Sequence, residues 1–399
     1  MPPAIPQHLL LLLIVLCSSV LLVQSVVPEH KTFQFINQGE WSYVSDNNRV
    51  IPVPSSYPFG LYFYITGNDY NKLVLGITGG HALPGDVVVW VWSANRNDPV
   101  GQHSTLTFGS DGNLVVADSD GRIAWQTNTA NKGVTGISMQ PNGNLVLHDK
   151  DGRFIWQSFN YPSDGLLVGQ SLMHSRCKKL VSRISETDSR DGPYSLVIGK
   201  NGFIMYQNKS GTLVRYAGWE ANGLHNVKYD SVQQDEPTTA TYFLTLGFAN
   251  KKQAENTSST PSQPPFIDMT NRDGLHPPSP ESEAPSPAPV KMALPHLRPL
   301  QRRVILAKVY FGDLMDTHWK IRANISYSFL RLEPDGNLKV HNFYTWSNFS
   351  SYWYDSYAFF GNTVGECALG SKCGASGSCN METCSACPPN GAVGCMINT

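Results

Sequence analysis

Apart from one apolar block at residues 9–23, the chain is a succession of short runs in which apolar and polar residues alternate. Residues 113–118 (NLVVAD) and 144–149 (NLVLHD) are short apolar stretches with β-branched residues between polar ends, the length and make-up of a strand. They are bounded by Asp111-Gly112, Asp120-Gly121, Asn142-Gly143 and Asp151-Gly152, pairs that tolerate positive φ and so predict hairpin turns. Further strands are predicted at 72–76, 194–206, 213–219 and 240–248, and again from Val304 onward, including 329–341 (FLRLEPDGNLKVH). Helical patterns rich in Glu, Lys and Ala are nearly absent, so the expected fold class is all-β.

The strongest internal signal is a repeat. Residues 108–127 (FGSDGNLVVADSDGRIAWQT) align with 139–158 (MQPNGNLVLHDKDGRFIWQS) at an offset of 31 without gaps, and ten of the twenty positions are identical. A weaker copy precedes them. Residues 87–100 set Trp92 over Trp125 and Asn95 over Asn128, with 72–76 as that copy's first strand. A lone hairpin cannot cover a tryptophan ring. Three equivalent units are therefore expected around a pseudo-threefold axis, with Trp92, Trp125 and Trp156 filling a common centre.

Composition narrows the function. The apolar block is fifteen residues long, short of the ~20 that span a bilayer, and fits the core of a signal peptide cleaved after Ser25. No later stretch approaches span length, so the mature chain is expected to be secreted, soluble and without a transmembrane segment. A net charge of −1 with 15% charged residues argues against nucleic acid as a partner. Six of the eight cysteines crowd into 367–395, which in an oxidising compartment reads as a disulfide module; the Cys384-x-x-Cys387 spacing leaves zinc as the rival. Cys177 is left as a buried or unpaired thiol. Sequons at Asn208, Asn256, Asn324 and Asn348 predict a glycosylated surface. Residues 257–299 hold eleven prolines and little apolar order, and are expected to be extended and disordered. The strand pattern resumes beyond them, so the second domain is interrupted rather than ended. No G-x-S-x-G, H-E-x-x-H or P-loop motif occurs, and the expected activity is binding, not catalysis, with no metal or cofactor.

The Asp-Gly-Asn-Leu-Val runs resemble the Q-x-D-x-N-x-V-x-Y sugar site of the bulb-type, monocot mannose-binding lectins. That resemblance implies a β-prism of three four-stranded sheets with one possible site per sheet. In the first copy Asp111, Asn113 and Val115 agree with the motif, while Gly109 and Ala117 replace its Gln and Tyr. In the second, Gln140, Asn144 and Val146 agree, while Asn142 and His148 stand for Asp and Tyr. In the second domain only Asp335 and Asn337 agree; Glu333, Lys339 and His341 depart. Short amides and carboxylates on a strand edge can bond vicinal sugar hydroxyls, and a valine can face the sugar's C–H side. Asn113 is expected to be the central donor–acceptor amide. The competing reading is that these residues only form the hairpin.

Beyond the motif, KTFQFINQGE, WVWSANRNDPV, FIWQSFNYPSD, LLVGQSL and DGPYSLV resemble the epidermis-secreted glycoproteins of plants, and the ectodomains of lectin receptor kinases and S-locus glycoproteins. The resemblance implies a signal peptide (1–25), a bulb-type lectin domain (26–160), a second lectin-like domain (161–345) and a cysteine-rich EGF-like segment (365–399). A Pro-rich insert at 252–303 is foreign to that pattern, and the pattern's PAN module is expected to be absent. By the same resemblance the disulfides are Cys367–Cys379, Cys373–Cys384 and Cys387–Cys395. The implied role is a secreted glycoprotein of the apoplast or cell wall that binds mannose-type or wall glycans weakly. Two alternatives stand beside it: a structural or protein-interaction glycoprotein with decayed sugar sites, and a soluble partner of receptor ectodomains.

Overall fold

The computed structural model describes residues 26–39, 48–79, 89–175, 179–220, 222–233, 240–248, 266–267, 305–310, 324–347, 350–363, 369, 378–380 and 383–385. The chain divides into two units, the first of residues 1–77 and 93–158, the second of 78–92 and 159–399. Both are built from antiparallel strands, as the two-residue periodicity predicts. No helix among the described residues is long and apolar enough to cross a membrane.

The first three-sheet set runs from β1 to β11. The strands are β1 (Phe33–Ile36), β2 (Asn48–Ser56), β3 (Phe59–Thr66), β4 (Asp69–Gly79), β5 (Val89–Ser93), β6 (Thr105–Phe108), β7 (Leu114–Ala117), β8 (Ile123–Gln126), β9 (Gly136–Met139), β10 (Leu145–His148) and β11 (Phe154–Gln157). They form sheets in the orders β1-β6-β7-β8, β2-β3-β4-β5 and β11-β10-β9. The repeat is the hairpins β6-β7-β8 and β9-β10-β11. In each, alternate side chains go inward: Leu106, Phe108, Leu114, Val116, Leu145 and Leu147 are fully buried. Removing that apolar area from water is what holds the short strands together.

The turns have a single design. In each of loops 110–112, 119–121, 141–143 and 150–152, the last residue is a glycine at φ between 78° and 87°. Its N–H donates three residues back, to Gly109, Asp118, Gln140 or Asp149. This is a three-residue hairpin: a turn followed by a left-handed residue that only glycine adopts without cost. Asp111 and Asn142, expected to share the positive φ, do not take it. Their side-chain oxygens instead accept the N–H two residues on, from Asn113 at 3.0 Å and Asn144 at 3.3 Å.

Trp125 and Trp156 meet edge to face with ring centroids 5.8 Å apart. Trp92, expected with them, is grouped with the second unit. Its buried indole N–H donates to the Tyr161 carbonyl at 2.7 Å. Arg183, buried against Asp164 at 2.7 Å, also donates to the carbonyl of Trp90. Trp90 and Trp92 are thus held by hydrogen bonds to chain beyond the repeats, which a 31-residue period does not reveal.

The second unit continues with β12 (Gly165–Leu167), β13 (Ser171–Met173), β14 (Lys179–Arg183), β15 (Asp191–Gly199), β16 (Gly202–Lys209), β17 (Thr212–Glu220), β18 (Leu224–Gln233), β19 (Ala240–Phe248), β20 (Phe266–Ile267), β21 (Ile305–Tyr310), β22 (Asn324–Leu332), β23 (Leu338–Ser347) and β24 (Ser350–Ala358). The sheets are β12-β22-β23-β24, β13-β18-β19-β21 and β14-β15-β16-β17-β20. One apolar cluster joins them, centred on Leu196, Phe203, Trp219, Tyr229, Leu244, Leu330 and Phe359. Phe266 and Ile267, inside the stretch expected to be disordered, pair with Gly218 and Ala217 of β17; the rest of that stretch lies outside the described residues. In the cysteine-rich end, Cys379 of β25 (Ser378–Asn380) stands opposite Cys384 of β26 (Thr383–Ser385) in the backbone register. Cys177, Cys367, Cys373, Cys387 and Cys395 lie outside the described residues.

Trp156 is buried and carries the contact to Trp125, so Trp156→Ala should cost about 3–5 kcal/mol in urea denaturation. The half-exposed Trp125 should cost less as Trp125→Ala. Equal, small losses at both would remove the tryptophan pair from the centre of this unit.

Candidate functional site

The residues that alternate with the buried set of β6 and β7 lie on the other face of the first sheet. Register places Gln34, Thr107, Val115 and Gln126 side by side across β1, β6, β7 and β8. Beyond them on the same face come Asn113, then Asp111 in the turn. Val115 is half-buried and Asp111 exposed. Asn113, however, is only 8% exposed. Its amide nitrogen donates to Gln126 Oε1 at 2.8 Å, and its oxygen accepts from Thr127 Oγ1 at 3.0 Å and the Thr129 N–H at 3.1 Å. The expected free amide is therefore a clasp from β7 to the chain after β8. One carboxylate oxygen of Asp111 is likewise engaged in the turn.

The second face repeats this chemistry. The Asn144 amide donates to Gln157 Oε1 at 2.8 Å, and its oxygen accepts from Ser158 Oγ at 3.2 Å. Gln140 donates to Ser138 Oγ at 3.0 Å. Asn142 is exposed, but Val146 is fully buried. The His148 ring lies over Gly136, where an added Cβ would come within 2.6 Å of its Cε1.

The third hairpin, β22–β23, has the same loop, with the Gly336 N–H donating to Glu333 and the Asn337 N–H to Asp335 Oδ1. Asn337 again clasps, here to the backbone of Phe360 in both directions. Its surroundings differ. Tyr216 donates to the Gly336 carbonyl at 2.6 Å, and the Tyr194 ring packs where a Cβ of Gly336 would stand. Glu333 and His341, at the motif's Gln and Tyr positions, belong to an ion cluster. Arg331 reaches both Glu333 oxygens, and the His341 ring touches Glu333 Oε1 at 2.5 Å and Asp355 Oδ1 at 2.6 Å. The ring also stacks on Phe329 with centroids 4.9 Å apart, and Lys339 pairs with Asp355.

Burial alone would push the His341 imidazolium toward its neutral form, but the hydrogen bonds to Asp355 and Glu333 outweigh it and raise its pKa. Burial would raise Glu333 too, yet the Arg331 charge and the His341 bond leave it lowered. Asp355, against the same burial effect, is brought down to about 2 by the same ring. Among the described residues no group of three or more His, Cys, Asp or Glu is arranged to hold a metal.

The family described as D-mannose binding lectin matches residues 88–186, which include both clasped hairpins of the repeat. EP1-like glycoprotein 2 of Arabidopsis thaliana is 38% identical over 387 residues, covering 94% of this chain and 76% of its own. The epidermis-specific secreted glycoprotein EP1 of Daucus carota is 33% identical over 91% of this chain and 85% of its own. The chain belongs to the EP1-like glycoprotein family. A G-type lectin S-receptor-like serine/threonine-protein kinase of Arabidopsis thaliana is 42% identical over 117 residues, 29% of this chain and 13% of the kinase.

In this EP1-like chain the sequon residue Asn208 is exposed at the β16–β17 turn, where its side chain accepts the Gly211 N–H. Asn256 and Asn348 lie outside the described residues, and of Asn324 only the backbone, the start of β22, is described. Sequence reasoning missed Gln126 and Gln157, which complete the two faces. The signal was in the repeat: each follows its tryptophan, and the two stand 31 positions apart like the asparagines they bond.

Two outcomes follow from this geometry. Asn113→Ala leaves the Thr129 N–H without its acceptor in a buried place, so it should destabilise the EP1-like fold by roughly 1–3 kcal/mol in urea denaturation; a change under about half a kcal/mol would mean the amide is no clasp. The His341 contribution is complete below about pH 6.5 and is lost as pH rises through the raised folded-state value. Those of Glu333 and Asp355 are present above the ordinary carboxylate range and are lost on acidification. The second unit should therefore be most stable between about pH 4.5 and 6.5. Urea midpoints should fall from pH 6 to pH 8 in the wild type and fall less in His341→Gln; parallel falls would remove His341 from the account.

Proposed function

We propose that this EP1-like chain is a secreted, lectin-like glycoprotein of the apoplast or cell wall whose repeat unit closes as a three-sheet β-prism and holds a mannose-type hexose on the outer face of the first sheet. The observation that carries the reading is what that face leaves available. Asp111 keeps one carboxylate oxygen outside the turn, Gln126 keeps its amide N–H₂, and Thr107 keeps a hydroxyl, all around the half-exposed Val115. A flat apolar patch ringed by short polar groups suits a pyranose, whose C–H face packs on valine while its hydroxyls reach the rim.

The second face supports the reading less. Val146 is fully buried and cannot meet a sugar ring. The third hairpin is roofed by Tyr194 and Tyr216 and filled by its ion cluster. One open face without the motif's Gln and Tyr should bind at millimolar strength or weaker, about −4 kcal/mol, so that useful retention needs a multivalent glycan. The cysteine-rich end is read as the three-disulfide EGF-like segment, and binding rather than catalysis as the activity.

A second reading is favoured by one observation: all three motif asparagines spend their amides on the fold. On that reading the hairpins are scaffold, and the protein acts through protein contacts, including those of receptor ectodomains. Retention on an immobilised mannan separates the two. Wild type should be retarded and Val115→Glu should not, because the substitution charges the apolar floor while leaving turn and clasp untouched. Equal behaviour of both proteins would give the protein-contact reading its place.

A further inference from the structure

We propose that the sugar held on the first sheet carries an O-acetyl group, seated in a short apolar trough beside Val115. The inference rests on the hexose reading above and adds the substituent that the ligand would bear.

One row along from Gln34, Thr107, Val115 and Gln126, the register sets Ile36, Thr105, Ala117 and Ile123 in line across the same four strands. Directly paired residues share a face of the sheet. Ile36 and Ile123 stand 42% and 53% exposed at the two ends, with the small Thr105 and Ala117 between them. Strands ~4.8 Å apart put the two isoleucines about 14 Å from each other, and the two rows are separated by two residues, ~7 Å. The result is a trough with apolar walls and a floor of one methyl and one threonine, open at its side to the hexose face.

Its shape is local and specific. β8 carries a bulge, so that Ala117 pairs with Ile123 and the intervening Ala124 is skipped. Bulges of this kind re-aim a side chain, and this one aims an isoleucine at the alanine. The second face holds the same bulge, pairing His148 with Phe154, which is 48% exposed. There the equivalents of Thr105, Ala117 and Ile123 are Gly136, His148 and Phe154, and the His148 ring lies across Gly136. The second sheet fills its trough with its own side chain. The first leaves the same place to something else.

The chemistry of the occupant follows. Neither row on this face holds a charged side chain. Arg122, the neighbour of Ile123 in the chain, is engaged by both Asp98 oxygens at 2.7 and 2.8 Å and by Asp118 at 3.1 Å. A uronate or a phosphate would meet no partner there, whereas a neutral ester would. Its methyl would rest on Ala117 between the isoleucines. Its carbonyl could accept from the Thr105 hydroxyl, which has no hydrogen-bond partner among the described residues.

The test compares O-acetylated manno-oligosaccharides with the same oligosaccharides after alkaline removal of the esters, by titration into wild type, Ala117→His and Ile123→Ser. Wild type should bind the acetylated ligand roughly four- to fifteenfold more tightly, the effect of removing one or two carbon groups from water. In both variants the two ligands should bind alike, the first because a ring fills the trough as His148 does, the second because a wall is lost. Ile123 is exposed, so its variant reports even if the histidine disturbs folding. Equal binding of both ligands by wild type would overturn the acetyl subsite and leave the hexose reading standing. Binding of neither would overturn both.

Discussion

Every hairpin of the repeat is closed by a buried asparagine amide that spends its hydrogen bonds on two other segments, and most of what the first unit can do depends on that. Strands four residues long cannot hold themselves, and a hairpin alone is marginal in water. Asn113 and Asn144 each tie the start of the middle strand to the chain that leaves the third strand, through Gln126 and Thr127 or Gln157 and Ser158. Asn95, aligned with Asn128 rather than Asn113, ties the weaker copy from the other side, accepting the Leu75 N–H and donating to the carbonyls of Leu73 and Asp98. A buried amide is costly when unpaired, so each clasp penalises any arrangement that lets the segments part. The turn glycines and the Asp or Asn side chains before them do the complementary work, setting the direction in which each hairpin reverses.

That constraint also explains which parts were legible in the sequence. Alternation and Asx-Gly turns announced the strands, and β19 starts and ends at the predicted residues, where Tyr242, Leu244, Leu246 and Phe248 recur at every second position. The repeat announced two of the three sheets built from β1 to β11. What a linear pattern could not carry was partnership across sequence. Whether Asn113 faces a ligand or Thr129 depends on the path of the chain after β8, sixteen residues away. Trp92 shows the same limit: its place in the alignment matches Trp125, but its indole is bound by a carbonyl at Tyr161, outside any repeat. In the third hairpin, the departures Glu333 and His341 were visible as mismatches, yet their meaning needed Arg331 and Asp355 from the strands on either side.

The three hairpins then read as one device put to three uses. All keep the loop, the glycine and the clasp. In the first, the face beyond the clasp stays open, with no charged side chain in its two rows. In the second, a histidine ring and a fully buried valine close it. In the third, the groups that would have faced a sugar are turned on one another: His341 lies between two carboxylates, one of which also answers Arg331, and two tyrosines cover the turn. Charge placed so deeply persists only because each member has an opposite partner within hydrogen-bond reach.

A frame that tolerates such different faces separates stability from recognition. The inward positions, from Leu106 to Trp156, carry the apolar burial, and the clasps sit at the strand ends. The outward residues Ala117 and His148 belong to neither set, and they differ while the hairpin around them stays the same. Ala117 and His148 stand at equivalent places, 31 residues apart, with opposite effects on the space above the sheet. On the proposed reading, specificity is decided less by the polar motif, much of which is consumed by the turn, than by the size of the outward residue next to it. An alanine at that place enlarges the face toward Ile36 and Ile123, and a histidine removes the same space.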